Sequence, residues 1–299
     1  MNTKHLATLL NARFWAIGFV CNGLDGIMSD NPIHVEWLKM PKDGWFADPF
    51  ILDVNDDEIQ VLVEEKPAGS DKGVITLLKV NRENMELKSK KTILDREYHL
   101  SFPCILREGG KIFIYPECAT SGRLDMYEYD PLTETVSYFK TICEDEVWDS
   151  CITERFGEKM LFTAAHNDMI LDIYKWDESN GRFEPWKQIE SDNKNSRMGG
   201  QLFEYKGKVY YPAQDCNRNY GAAIQIKKIN YTDGEFSFEI IKRITSPHPK
   251  MKLGLHTLNE YNGVVVIDVY GYRHPLCGRV IDWMIGIKKR IKEQIHEGR

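Results

Sequence analysis

The chain has little of what usually identifies an enzyme from sequence. Its seven cysteines (Cys21, Cys104, Cys118, Cys143, Cys151, Cys216 and Cys277) form no CxxC pair and no regular framework. Neither zinc spacing nor a disulfide scaffold is written in them, and the odd, unpatterned count fits a reducing compartment. GxGxxG, phosphate-loop, HExxH and GxSxG patterns are all missing, which removes the usual signatures of dinucleotide, nucleotide, zincin and nucleophile-elbow sites. No apolar run reaches the roughly 18 residues that span a bilayer. The opening MNTKHLATLLNARFWAIGFVCNG is broken by Asn11, Arg13 and Asn22 and is not read as a secretory leader. Positive charge is in deficit: 39 Lys and Arg against 45 Asp and Glu leave a net charge of −6, which argues against a general nucleic-acid binder. The expected location is cytoplasmic.

What the chain does have is repetition. One phrase, a strand-like run, a tight turn and a second apolar run ending in a polar residue, occurs five times: Phe46 to Glu65, Leu100 to Glu117, Trp148 to His166, Met198 to Asp215 and Leu255 to Gly271. Taking Asp48, Ser101, Asp149, Gly199 and His256 as matching points, the spacings are 53, 48, 50 and 57 residues. A period near 50 in hairpin-forming sequence predicts propeller blades. Turn glycines Gly109-Gly110, Gly157, Gly207 and Gly263 fall between the paired runs, where positive φ is expected. The predicted fold is an all-β, five-bladed β-propeller over residues 35–273. Residues 1–34 precede it, and the strand-like Phe14 to Val20 completes the last blade.

Residues 274–299 change character. Apolar Val280, Ile281, Met284, Ile287, Ile291 and Ile295 follow helical spacing, and Arg279, Lys288, Lys289, Arg290 and Lys292 cluster among them. This predicts a basic amphipathic helix. It either docks on the propeller or lies on an anionic membrane surface, which would make the protein peripheral on the inner face of the membrane.

In a propeller the innermost strands line a central channel and their polar ends converge at one mouth. Asp48, Ser101, Asp149, Arg197 and His256 begin the inner strands, while Glu65, Glu117, His166 and Asp215 end their hairpin returns. Carboxylates at close range raise one another's pKa, which yields an acid and a base from two carboxyls, as glycosyl chemistry requires. No metal site is assigned.

The phrases WFADPFI, VLVEE, YHLSFPCI, YPE, WDS, YPAQDC, Asn219-Tyr220-Gly221 and GLHTL resemble the N-terminal five-bladed domain of glucosamine inositolphosphorylceramide transferases, itself similar to glycoside hydrolase family 43. The resemblance implies that Asp48 matches the general-base aspartate of those hydrolases and His256 a histidine beneath their substrate site. Ser101 stands where they carry a pKa-tuning aspartate, Asp149 where they carry the acid glutamate, and Glu117 is an acidic residue they do not need. The implied function is a glycosyltransferase in surface polysaccharide or glycolipid assembly, furanosyl by analogy with the hydrolases. It would use Asp48, Asp149 and Glu117 catalytically, with Tyr220 and Trp45 among the substrate contacts. A sugar nucleotide is the donor expected of such an enzyme, and Arg197, Arg218 and Lys252 are candidates to meet its diphosphate. The alternatives are a glycoside hydrolase and a non-catalytic glycan-binding propeller.

Overall fold

A computed structural model describes residues 13–39, 41, 44–67 and 69–284. These residues build five four-stranded antiparallel sheets. The chain enters with β1 (Arg13–Val20) and β2 (Val35–Trp37), which are separated by a short helix, Gly23–Met28. Blade one is β3 (Trp45–Val54), β4 (Glu58–Lys66), β5 (Val74–Asn81) and β6 (Leu87–Leu94). Blade two is β7 (Ser101–Glu108), β8 (Lys111–Glu117), β9 (Leu124–Asp130) and β10 (Thr135–Cys143). Blade three follows as β11 (Trp148–Thr153), β12 (Met160–Ala164), β13 (Ile170–Asp177) and β14 (Arg182–Glu190). Blade four is β15 (Phe203–Tyr205), β16 (Lys208–Asp215), β17 (Ala223–Thr232) and β18 (Glu235–Ile244). Blade five combines both ends of the chain in the order β19 (Leu258–Tyr261), β20 (Val264–Tyr272), β1, β2. The register of β1 on β20 runs from Arg13 opposite Tyr272 to Phe19 opposite Val266. An end-to-end pairing of this kind closes the ring of blades through hydrogen bonds between the two ends of the chain.

The sequence pattern explains the radial order. Inner strands such as β20 are buried along almost their whole length, because both sheet faces pack on neighbouring blades. The outermost β6 is largely exposed and carries Lys88, Lys90 and Lys91. A core containing Phe50, Phe102, Cys104, Cys151, Met160, Phe162 and Met198 runs from blade one to blade four. All seven cysteines are free thiols, and Cys104 and Cys151 face each other in that core at 3.7 Å between sulfurs. Polar contacts tie blades together at the far end of the channel. The Arg107 guanidinium donates to the carbonyls of Ile51 and Leu52 at 3.0 and 2.8 Å and lies 3.7 Å from the Tyr261 ring centroid.

After β20 the chain forms a helix over residues 275–284. It is held to the barrel by Asp282, which pairs with Arg13 at 3.1 Å and accepts from the Tyr272 hydroxyl. The cations Lys288, Lys289, Arg290 and Lys292, with Ile287, Ile291 and Ile295, lie outside the described residues, as does the chain before Arg13.

Candidate active site

One irregularity, repeated at one phase in three blades, builds the site. Ladder pairs Ala47–Glu64, Ser101–Glu117 and Trp148–Ala164 are each followed by a bulge on the inner strand. The next residues, Asp48, Phe102 and Asp149, sit in the left-handed region at φ 49°, 44° and 47°. A bulge re-aims a side chain and interrupts pairing, and non-glycine residues at positive φ are uncommon and cluster at functional sites. Pro49 and Pro103 follow directly; lacking an N–H, they suit an interrupted ladder. The equivalent of Asp48 in blade two is therefore Phe102, one residue beyond the Ser101 expected from spacing. Ser101 is buried and pairs across the ladder with Glu117.

The strained amides are satisfied by carboxylates from neighbouring blades. Asp48 N–H donates to Asp268 Oδ2 at 3.0 Å, Phe102 N–H to Asp48 Oδ2 at 3.1 Å, and Asp149 N–H to Glu117 Oε2 at 2.8 Å. Each bond crosses from one blade to the next.

The groups separate into two clusters. On the side of blades five and one, the His256 ring lies between Asp268, whose Oδ2 is 2.7 Å from Nδ1, and Asp48, whose Oδ1 is 3.4 Å from Nε2. Burial disfavours the imidazolium, but Asp268 and then Asp48 outweigh it and raise the His256 pKa. Asp268, buried but compensated by His256, falls below the ordinary carboxylate range. Asp48 moves the other way: burial lifts it well above the usual value, against the pull of His256 and with help from Glu64 and Asp268. Trp15 stacks on the His256 ring at 3.9 Å between centroids.

On the side of blades two to four, Arg197 pairs with Asp149 through Nε and stands 3.6 Å from Glu117. Gln214 Nε2 also donates to Asp149 Oδ2 at 2.7 Å. Glu117 is pushed up to about 8, first by burial and then by the charge of Asp149, with Arg197 opposing. Glu64, its ladder equivalent in blade one, is also pushed up to about 8, by burial and then by Glu117. Glu64 and Glu117 thus hold protons at neutral pH, while Asp149 and Asp268 are locked in ion pairs.

Of the residues expected from the repeats, Asp48 and His256 thus lie in one cluster and Glu117, Asp149 and Arg197 in the other. Tyr220 joins them: its ring is 5.5 Å from His256 and 5.3 Å from the Arg197 guanidinium. Trp45 sits behind, 6.4 Å from Trp15. The other expected contacts point away from the axis, toward outer strands. Glu65 bonds Thr76 at 2.8 Å and pairs with Lys90, His166 faces Asp172 at 3.0 Å, and Asp215 faces Arg243 at 2.6 Å. Adjacent residues on a strand point to opposite faces, so Glu64 enters the site and Glu65 leaves it. Arg197 gives its Nε to Asp149, and its terminal nitrogens stand 3.6 Å from Glu117 and 3.9 Å from Asp168.

The sequence reading passed over Asp268, Gln214 and Trp15. Asp268 carried a signal, a lone charge inside the apolar run Val264 to Val269. Asp48, His256 and Asp268 place donor atoms within 4.8 Å of one another, compact enough for a cation. The set does not suit one, because Asp268 Oδ1 already accepts from the amides of His256 and Thr257 at 3.2 and 2.9 Å and its carboxylate faces His256 Nδ1.

Comparison with known proteins agrees with this picture. Residues 37–262 match the family described as "Glucosamine inositolphosphorylceramide transferase 1, N-terminal", and the chain belongs to that family. The protein of that name from Arabidopsis thaliana is 28% identical over 230 residues, covering 74% of this chain and 29% of the relative. Its counterpart from Oryza sativa subsp. japonica is 26% identical over 196 residues, covering 61% and 26%. The chain thus spans between a quarter and a third of these relatives. Among solved structures, RS223-Beta-xylosidase superposes with a TM-score of 0.55 at 15% identity, over 78% of this chain and 93% of that one. A GH43 beta-xylosidase/alpha-arabinofuranosidase from a compost microbial metagenome gives 0.53 at 15% identity, over 73% and 83%. These structures share the fold.

Proposed function

We propose that the propeller binds a carbohydrate at its channel mouth and transfers a glycosyl group there. The observation that carries this reading is the contrast in protonation within one small volume. Glu117 is pushed up to about 8, and Asp48 is raised by burial beside His256, whose own pKa Asp268 raises. Glu117 is the proton donor to the departing oxygen. Asp48 is the acceptor for the proton of the attacking hydroxyl, because a carboxyl of raised pKa is a stronger base once ionised. His256, whose protonated form Asp268 favours, opposes the burial that disfavours an ionised Asp48. Tyr220, 46% exposed, offers a face for a sugar ring. The word transferase in the family's name favours transfer over hydrolysis; a nucleotide-activated sugar as donor and a lipid-linked acceptor belong to the proposal.

A second reading is favoured by one observation. Arg197 engages Asp149, which takes the blade-three carboxylate out of acid–base work, as suits a propeller that grips glycan without altering it. The test is a screen of the purified chain with labelled sugar nucleotides, pyranose and furanose, and inositolphosphorylceramide as acceptor. Transfer that disappears in Asp48→Asn, with the melting temperature not lowered, is the expected result. Asparagine keeps an acceptor for the Phe102 amide but cannot take a proton. Sugar binding that persists in Asp48→Asn without turnover in either protein would establish the binding module. Nucleotide-independent release of sugar from an oligosaccharide would establish a hydrolase.

A further inference from the structure

The helix over 275–284 turns an apolar face to solvent. Leu276 is 83% exposed and Trp283 68%, with Val280 and Met284 also exposed beside them. These positions follow i, i+4, i+7 and i+8 and share one side of a helix. An apolar stripe this continuous on a surface marks an interaction site. Next to the helix start lies a cavity of about 310 Å³ lined by Phe14, Met251, Tyr272 and Pro275, with His248, Lys250 and Arg273 and no carboxylate. Arg279, also exposed, adds a further cation to this region.

The helix is at the same end of the propeller as the candidate site. Trp15, which stacks on His256, lies on β1 two residues from Arg13, and Tyr270, 4.4 Å from Trp15, lies on β20 two residues from Tyr272. Arg13 and Tyr272 both bind Asp282 of the helix. Two strand residues span roughly 7 Å, so the helix is anchored within a side chain's reach of the mouth. No helix among the described residues is long and apolar enough to cross a membrane.

We propose that this helix face and the basic cavity beside it dock on an anionic phospholipid bilayer, lying in its interface and presenting the channel mouth to the headgroup layer. Apolar side chains enter the acyl boundary while Lys250 and Arg279 meet lipid phosphates, the two-part attraction that holds interfacial helices. A substrate carried on a lipid would then reach Asp48 and Glu117 without leaving the membrane. The docking surface stands whether or not the mouth is catalytic.

The test is co-sedimentation of the full chain with phosphatidylcholine vesicles, with and without phosphatidylserine. Binding is expected only to the anionic vesicles. Reversing Lys250 and Arg279 to Glu should weaken it by about thirtyfold or more, given about 1 kcal/mol for each cation near such a surface. Leu276→Ser with Trp283→Ser should weaken it at least as much while leaving the thermal melt unchanged, since both side chains are exposed. Equal sedimentation of all variants would overturn the proposal. So would a dimer in solution that the serine variants dissolve, with no vesicle binding by the parent, which would assign the face to a second copy of the chain.

Discussion

Glu117→Gln should make the protein more stable and less active at once. Unfolded, Glu117 titrates near 4.5; folded, burial and Asp149 hold it to about 8. Between those values the unfolded chain has released a proton that the native protein keeps. The unfolded state thus binds fewer protons, and stability falls as pH rises through this window. At pH 7 the interval is roughly 2.5 units at 1.4 kcal/mol each, a cost on the order of 3 kcal/mol. Glutamine does not titrate, and its Oε1 can still accept the Asp149 amide that Glu117 accepts at 2.8 Å. At about 2–4 °C per kcal/mol for a domain of this kind, the variant should melt about 6–12 °C higher at pH 7. The gain should shrink toward zero near pH 4.5. Thermal melts of both proteins at pH 4.5, 6, 7 and 8 measure this directly, with the transfer assay beside them. Parallel pH profiles for the two proteins would refute the reasoning, because they would mean Glu117 titrates alike in the native and unfolded states.

Two further outcomes follow from the geometry. Lys227 is buried in blade four at the register position filled by Leu78, Tyr127 and Tyr174 in blades one to three, and burial lowers it to about 8. The unfolded chain binds the extra proton between pH 8 and 10.5, so wild-type stability rises with pH across that window, and Lys227→Met should raise the melting temperature at pH 7 and flatten the rise. Gly221 sits at φ 56°, where an added Cβ would lie 2.5 Å from the His256 Cβ; Gly221→Ala should lower the melting temperature by a few degrees and cut turnover by at least about tenfold through displacement of His256 and Tyr220.

The blade count, the hairpins and the central residues were legible because each depends on a repeated local pattern. Alternation and turn residues recur at a period near 50, and the inner-strand phase points Asp48, Asp149 and His256 at one axis. Legibility ended where the outcome turned on single-residue register. Ser101 looked equivalent to Asp48 by spacing, yet the bulge places Phe102 there. Glu65 is the residue expected in the site, yet the ladder turns its neighbour Glu64 inward and sends Glu65 to Thr76 and Lys90. His166 and Asp215 were assigned inward because they end hairpin returns, but Asp172 and Arg243 on outer strands hold them.

Partnership was the other thing a linear reading could not supply. Asp149 appeared as a spare carboxylate, and only the approach of blade four shows that Arg197 occupies it. The amide contacts give that pairing a wider meaning. Asp268 holds the strained turn at Asp48, Asp48 holds the one at Phe102, and Glu117 holds the one at Asp149. Each carboxyl that could do chemistry is also the acceptor that keeps the next blade's bulge in the left-handed region, where a non-glycine residue is strained. The chemistry of the mouth and the angular spacing of blades one to three therefore rest on the same atoms. Alanine at Asp48 or Glu117 would strip a buried amide of its acceptor and destabilise the ring, whereas the amide isosteres leave that bond in place. Loss of function in alanine variants alone would not separate the two roles; the asparagine and glutamine variants do, because they keep an acceptor for the amide while removing the titratable proton.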